Sequence, residues 1–331
     1  MVRKDINFIF LFSLLAIALL PGCCKKVQEP ELTSVTIAFP EWVGYGLFYL
    51  ADEKGFFKKQ GIKLVFLDKP LDSDRRDAFK QGTLDCEAGT IDLLITKAAQ
   101  DTPIVAVMKI DRSFGSDGIV ATKDIGKLED LIGRKVALTR DDVGEIFLSA
   151  LFHRKGLPLD KVIIVPKQPD EVWQAFVNNE ADACITWEPR LTKALERPGS
   201  HVLTSTMEYP AIIIDSLNVR RCLVETEPVL VKKLMRGWFS ALDFYKEDPN
   251  AASEIIAKHY NISPEEYRKQ VKGLLWEGFV EQMYPAKYKE WVEVFNEIAE
   301  IKLANGRISR KPDDSMFLNH KLLENLYDDS E

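Results

Sequence analysis

The sequence predicts an α/β fold of two lobes, joined by two strand-like crossings and finished by a helical tail. Three observations predict it. Short β-branched runs alternate with amphipathic stretches from residue 34, and the alternation restarts near residue 134. A long apolar run at 211–219 brings the chain back from the second set of elements. Beyond it the apolar residues fall at helical spacing almost to the end. At 331 residues the chain is long enough for two lobes with separate cores.

The elements follow in order. SVTIAF at 34–39 reads as a strand, 45–59 as a helix with Leu47, Leu50, Ala51 and Lys54 at helical spacing, and 62–67 as a second strand. A short helix at 73–81 is closed by Gly82, a brief strand occupies 85–88, a helix with Thr90 at its N-cap covers 90–99, and a strand covers 104–110. This rhythm implies a mainly parallel sheet with helices on its faces. A strand at 118–122 precedes a charged loop. Then come strands at 134–139, 162–165 and 183–186, with helices at 143–155, 169–178 and 189–195. In the tail, Val231, Leu234, Met235, Trp238, Leu242 and Tyr245 share one helical face, and Tyr288, Trp291, Val292, Phe295 and Ile298 share another; both read as core. A lone amphipathic helix is expected around 316–327. These boundaries give a first lobe of 34–120 and 216–331 and a second lobe of 121–215, an arrangement that permits hinge closure.

The N-terminus sets the compartment. Arg3 and Lys4 precede an apolar run at 6–20 that ends in Leu20-Pro21-Gly22-Cys23. The run is too short for the ~20 residues of a membrane span, so residues 1–22 read as a secretory signal. The stretch resembles a bacterial lipoprotein lipobox, which implies lipidation of Cys23 and a membrane anchor, with residues 23–33 as a solvated tether. Removing Arg3, Lys4 and Asp5 takes the totals from 44 basic and 51 acidic residues to 42 and 50. An acidic body is a poor partner for nucleic acid. Cys86, Cys184 and Cys222 lie far apart in apolar contexts, and His153, His201, His259 and His320 are scattered. A zinc or iron site therefore has no support, and no cofactor is expected.

Ligands in such sheets bind beyond the carboxyl ends of the strands. There this chain places Trp42 and Tyr45, then Gly89 and Thr90, then Asp111, Ser113 and Asp117, then Arg140, Asp141, Asp142 and Glu145, then Trp187 and Glu188; Asp215 lies in the return crossing. Aromatic planes can sandwich a ring or face a cation. Carboxylates accept hydrogen bonds from amines. Several of these residues have plainer readings: Trp42 as a packing wedge, Thr90 and Ser113 as caps, Asp117-Gly118 as a turn, and Glu188-Pro189 as a helix start. Asp215 is harder to explain, because an ionised side chain after Ile212-Ile213-Ile214 needs a partner or an open cleft.

Trp42-Val43-Gly44-Tyr45, then Tyr49-Leu50-Ala51-Asp52-Glu53-Lys54-Gly55-Phe56-Phe57 and Gly61-Ile62, resembles the opening of solute-binding proteins of ABC importers for nitrate, sulfonates, taurine and thiamine-precursor pyrimidines. The segments 111–120, 131–137, 181–183 and 187–189 fit the same family in order and spacing. The resemblance covers roughly residues 34–300. It implies a periplasmic-binding-protein fold of the two-crossing type II, ligand capture by lobe closure, and partners in a membrane permease and its ATPase. It also places Trp42, Tyr45, Gly89, Thr90, Trp187 and Glu188 at the ligand. One departure matters. Sulfonate binders tend to have small hydroxyl residues where this chain has Asp141, Asp142 and Val143, and carboxylates there would repel an anion.

The expectation is an exported, lipid-anchored, monomeric solute receptor for an amine-bearing or pyrimidine-like molecule. Taurine or another sulfonate is the second reading. An enzyme that makes the pyrimidine is a third, disfavoured by the lack of GxSxG, HExxH, a phosphate loop or a Cys/His pair at useful spacing. A sensor with a separate signalling partner is a fourth.

Overall fold

The computed structural model describes Met1 and residues 31–328. The expected signal segment, Cys23 and most of the tether lie outside the described residues. Strands β1 (Thr33–Ala38), β2 (Ile62–Phe66), β3 (Cys86–Thr90), β4 (Ile104–Ser113), β10 (Ile214–Arg220) and β11 (Leu274–Trp276) form a six-stranded sheet in the order β11-β4-β10-β3-β1-β2. Strands β5 (Asp117–Thr122), β6 (Lys135–Leu138), β7 (Ile163–Pro166), β8 (Ala183–Trp187) and β9 (Ser200–Ser205) form a second sheet in the order β7-β6-β8-β5-β9. No helix among the described residues is long and apolar enough to cross a membrane.

The expected βα rhythm holds through both lobes, with four corrections. First, the sheets are mixed. β10 runs antiparallel between β3 and β4, and β5 runs antiparallel between β8 and β9. Strands that carry the chain out of a lobe or back into it have no helix to reverse them, so they enter against the parallel set. Second, β5 belongs to the second lobe: Asp117 pairs opposite Trp187 and Ala121 opposite Ala183. The crossings therefore fall at 114–116 and 206–213, not at 120/121 and 215/216. Third, the expected helix at 45–59 is divided at Gly55, whose φ of 68° ends one helix (Gly46–Glu53) before another begins (Phe56–Lys59). Fourth, the tail ends in two short helices, Asp314–Phe317 and Lys321–Glu324, instead of one. Leu318 between them bridges to Ala106 of β4, and Leu322, Leu323 and Leu326 are buried.

The cores also depart from the expected pair of separate interiors. One apolar cluster runs from Ile91, Leu94 and Ile95 of the first lobe to Phe147 and Leu151 of the second, with Trp291, Phe295 and Ile298 between them. Those three lie on helix Pro285–Ala304, which packs on both Ile91–Ala99 and Val143–Lys155. Helix Val143–Lys155 is buried continuously from Val143 to Phe152, so it has no polar face to give to water. Two further clusters back the outer faces, one around Phe48, Trp238 and Tyr267 and a smaller one around Val172, Phe176 and Cys184. The crossings are strapped together. Ser113 Oγ and Thr206 Oγ1 are 2.7 Å apart, the Gly115 amide donates to Thr206 Oγ1 at 2.8 Å, and the Thr206 amide donates to the Asp117 carbonyl at 2.9 Å.

Candidate functional site

The loop after β1 carries Trp42 and Tyr45, and its shape is imposed from the tail. Tyr260 donates its hydroxyl to the Trp42 carbonyl at 2.7 Å, Tyr267 to the Val43 carbonyl at 3.2 Å, and Trp276 Nε1 to the Gly44 carbonyl at 3.0 Å. Only glycine fits at residue 44, because a Cβ there would lie 2.1 Å from Asp111 Oδ2 and 2.4 Å from Trp42 Nε1. The loop so held aims two ring donors at two acids. Trp42 Nε1 donates to Asp111 Oδ2 at 3.3 Å, and the Tyr45 hydroxyl donates to Asp215 Oδ1.

These acids are hidden from bulk water: Asp111 is 1% exposed, Asp215 2% and Asp117 6%. Burial disfavours the charged form of each. Burial and then the neighbouring Asp215 charge push Asp111 well above the carboxylate range. Burial raises Asp215 to about 7, against bonds from Tyr45 and Asp111 that favour its ionised form. Burial and mutual repulsion thus hold protons on this pair to a higher pH than exposed carboxylates keep them. Asp117 is raised to about 7 by burial, partly offset by the Ser113 hydroxyl. Asp142 is raised to about 6 by burial and by the Asp92 charge, against the Val143 amide that it accepts at 2.7 Å.

A cavity of about 660 Å³ opens between the two sheets, and Trp42, Tyr45, Thr90, Asp117, Asp142, Trp187 and Asp215 are on its wall. The arginines of that wall are all engaged. Arg75 pairs with Glu87 and Asp72, Arg76 with Asp77, Arg140 with Glu145, Arg190 with Asp170, and Arg307 with Glu145 and Asp141. Asp72 also receives Lys97, a fully buried lysine shared with Glu87. In contrast, no ion pair among the described residues reaches Asp111, Asp117, Asp142 or Asp215. The hydroxyl oxygens of Thr90 and Thr139, both on the wall, are shielded from water and have no hydrogen-bond partner among the described residues. Asp142 takes the first amide of helix Val143–Lys155, so that N-terminus is already answered by a carboxylate from its own chain.

Of the residues expected at the ligand, the fold brings Trp42, Tyr45, Thr90, Asp117, Trp187 and Asp215 to one cavity. The other five are elsewhere. Asp111 accepts the Trp42 ring N–H and is a charge neighbour of Asp215. Gly89 sits inside β3, off the cavity wall, with nothing closer than 3.8 Å to a Cβ placed on it. Ser113 is spent on the strap between the crossings. Glu145 is tied to Arg140, Arg307 and the Asp141 amide. Glu188 accepts from the Thr192 amide at 3.1 Å and its hydroxyl at 2.8 Å, starting helix Arg190–Ala194 as its plain reading foresaw. Wall residues not singled out as ligand contacts include Asp142, Thr139, Ile213 and Arg307. Asp142 had a signal in its place ahead of a helix; Arg307 had none. Among the described residues no group of three His, Cys, Asp or Glu side chains is placed to hold a metal ion.

Comparison with known proteins adds the ancestry. The chain is 25% identical over 270 residues to a protein of Brucella abortus (strain 2308) designated a binding protein, covering 80% of this chain and 82% of that one. It is 29% identical over 160 residues to the taurine-binding periplasmic protein of Escherichia coli (strain K12), covering 47% and 49%. A 4-amino-5-hydroxymethyl-2-methylpyrimidine phosphate synthase of Aspergillus parasiticus is 25% identical over 223 residues, covering 62% and 64%. In structure it resembles the periplasmic aliphatic sulphonate binding protein of Escherichia coli, with a TM-score of 0.73 at 16% identity over 87% of this chain and 91% of that one. The fold is that of the periplasmic binding proteins. Residues 43–252, more than half of the chain, match the family described as NMT1/THI5 like, and the chain belongs to that family.

Proposed function

We propose that this protein is the extracytoplasmic solute-binding component of an ABC importer, that it is anchored through a lipid on Cys23, and that it captures a cationic nitrogen solute such as an amine or amino-pyrimidine. The observation that carries the ligand class is an imbalance of pairing. Every arginine on the cavity wall has its carboxylate, while no ion pair among the described residues reaches Asp111, Asp117, Asp142 or Asp215. A buried carboxylate is costly until a positive group or a proton neutralises it. Trp42, Tyr45 and Trp187 give that positive group flat, electron-rich walls. Thr90, Asp117 and Asp215 complete the contact set. Transport is supported by the relatives designated binding proteins. Delivery to a permease and its ATPase follows from the family. The second reading, taurine or an alkylsulfonate, is favoured by the taurine-binding relative and by Arg140 and Arg307 at the wall.

Native mass spectrometry of the protein purified from membranes, with a thermal-shift panel of amines, amino-pyrimidines, taurine and alkylsulfonates, tests this. A co-purified basic solute, a diacylglyceryl mass on Cys23 and stabilisation by amines are expected, since bound ligand stabilises by RT ln(1 + [L]/Kd). Stabilisation by sulfonates alone would overturn the cationic reading, and a mature chain lacking the lipid mass would overturn the anchor.

A further inference from the structure

The unpaired acids are divided between the two sheets. Asp215 of β10 lies opposite Thr90 of β3 in register, both on the cavity wall of the first sheet. Asp117 opens β5 opposite Trp187 of β8, both on the wall of the second sheet. Asp142 stands at the start of the second-lobe helix Val143–Lys155. Each station combines a carboxylate that no ion pair among the described residues reaches with a neutral wall group. At the first that group is the Thr90 hydroxyl, buried without a partner; at the second it is the Trp187 ring. The Thr139 hydroxyl, equally orphaned, lies one residue beyond β6 on the second-lobe side. Unsatisfied hydroxyls on a cavity wall are filled by a ligand or by water.

Resting on the reading of a cationic solute, we propose that the solute carries two positive centres, one held by Asp215 and Thr90 and the other by Asp117 and Asp142 across the cleft. The division of the acids between the walls leads there. Asp215 stands on the first sheet and Asp117 and Asp142 on the second-lobe side, so a single ammonium held at one wall leaves the carboxylates of the other wall unanswered. In the empty cleft, carboxylates on facing walls repel each other. A dication that bridges them replaces that repulsion with attraction on both sides, and so it favours the closed arrangement more than a monocation can.

The test is a calorimetric comparison of α,ω-diaminoalkanes of three to six carbons with the n-alkylamines of equal length, on the full mature protein, with taurine and an amino-pyrimidine as further arms. At least one diamine is expected to bind about ten-fold more tightly than its matched monoamine, about 1.4 kcal/mol. Asp142→Asn and Asp117→Asn are each expected to bring the ratio of diamine to monoamine affinity down toward one, whatever they do to either affinity alone. Because the wild-type comparison needs no variant, a failure of either variant to fold leaves the test intact. Equal binding of diamine and monoamine would overturn this inference and leave the cationic reading standing. Binding of taurine with no binding of any amine would overturn both.

Discussion

At the scale of single residues, the site is a set of acids kept in a place that penalises their charge. Asp117 shows the consequence. Its carboxyl is raised to about 7 in the folded protein from an ordinary value of 3.8. A raised carboxyl binds a proton more readily folded than unfolded, so the empty protein loses stability as pH rises from about 4 to about 7, and the full cost applies above that. At pH 8 that cost is on the order of 4 kcal/mol for a shift of this size. Asp117→Asn is therefore expected to raise the melting temperature of the empty protein at pH 8 and to change it little at pH 4, read by thermal denaturation at both pH values. Equal effects at the two would mean that Asp117 is already neutralised. The residue scale also shows why some acids were legible and others were not. Asp215 announced itself by following three isoleucines, and the fold gave it both Tyr45 and a cavity. Glu145 and Glu188 looked equally suitable by position, yet partners within five residues took up Glu188, and Arg140, the Asp141 amide and the distant Arg307 took up Glu145.

At the scale of elements, the aromatic loop depends on rings that come more than two hundred residues later. Tyr260, Tyr267 and Trp276 each donate to a carbonyl of the 42–44 loop. Trp276 is not on the cavity wall, so its effect on binding must act through the loop that it holds. Trp276→Phe removes one such donor and leaves the ring. It is expected to cost about 1 kcal/mol of stability and to weaken the best-bound member of the amine panel several-fold, measured by calorimetry. Unchanged affinity with lowered stability would show the loop to be held well enough without it. The same element explains the failure at Ser113. Its place at a strand end suggested a ligand contact, but the return crossing brought Thr206 to within 2.7 Å of its hydroxyl. No spacing in the sequence links 113 to 206.

At the scale of the whole molecule, helix Pro285–Ala304 is the seam. Trp291, Phe295 and Ile298 lie in one apolar cluster with residues of both lobes, and Arg154 of the second lobe pairs with Glu297 at 2.7 Å. Lobes that share a core should unfold together. Trp291, 2% exposed, is the largest side chain of the seam, and Trp291→Ala is expected to cost about 3–5 kcal/mol. Scanning calorimetry should show one transition for the native chain and one, at lower temperature, for the variant. Two resolved transitions in the native chain would contradict the shared core.

The sequence by itself determined the α/β alternation, the two lobes and the strand ends at which Trp42, Tyr45, Thr90, Asp117, Trp187 and Asp215 stand. Periodicity of two or near four residues and the chemistry of turns are local, and a window of ten residues contains them. The tertiary structure alone decided which of those side chains share a cavity, which sheet β5 joins, that Trp291 of the tail packs with residues of both lobes, and that Arg307 of the tail pairs with acids of the second. Those outcomes depend on pairings between segments far apart in the chain. A side chain's partner, and hence the charge it can keep, is fixed only when such segments meet.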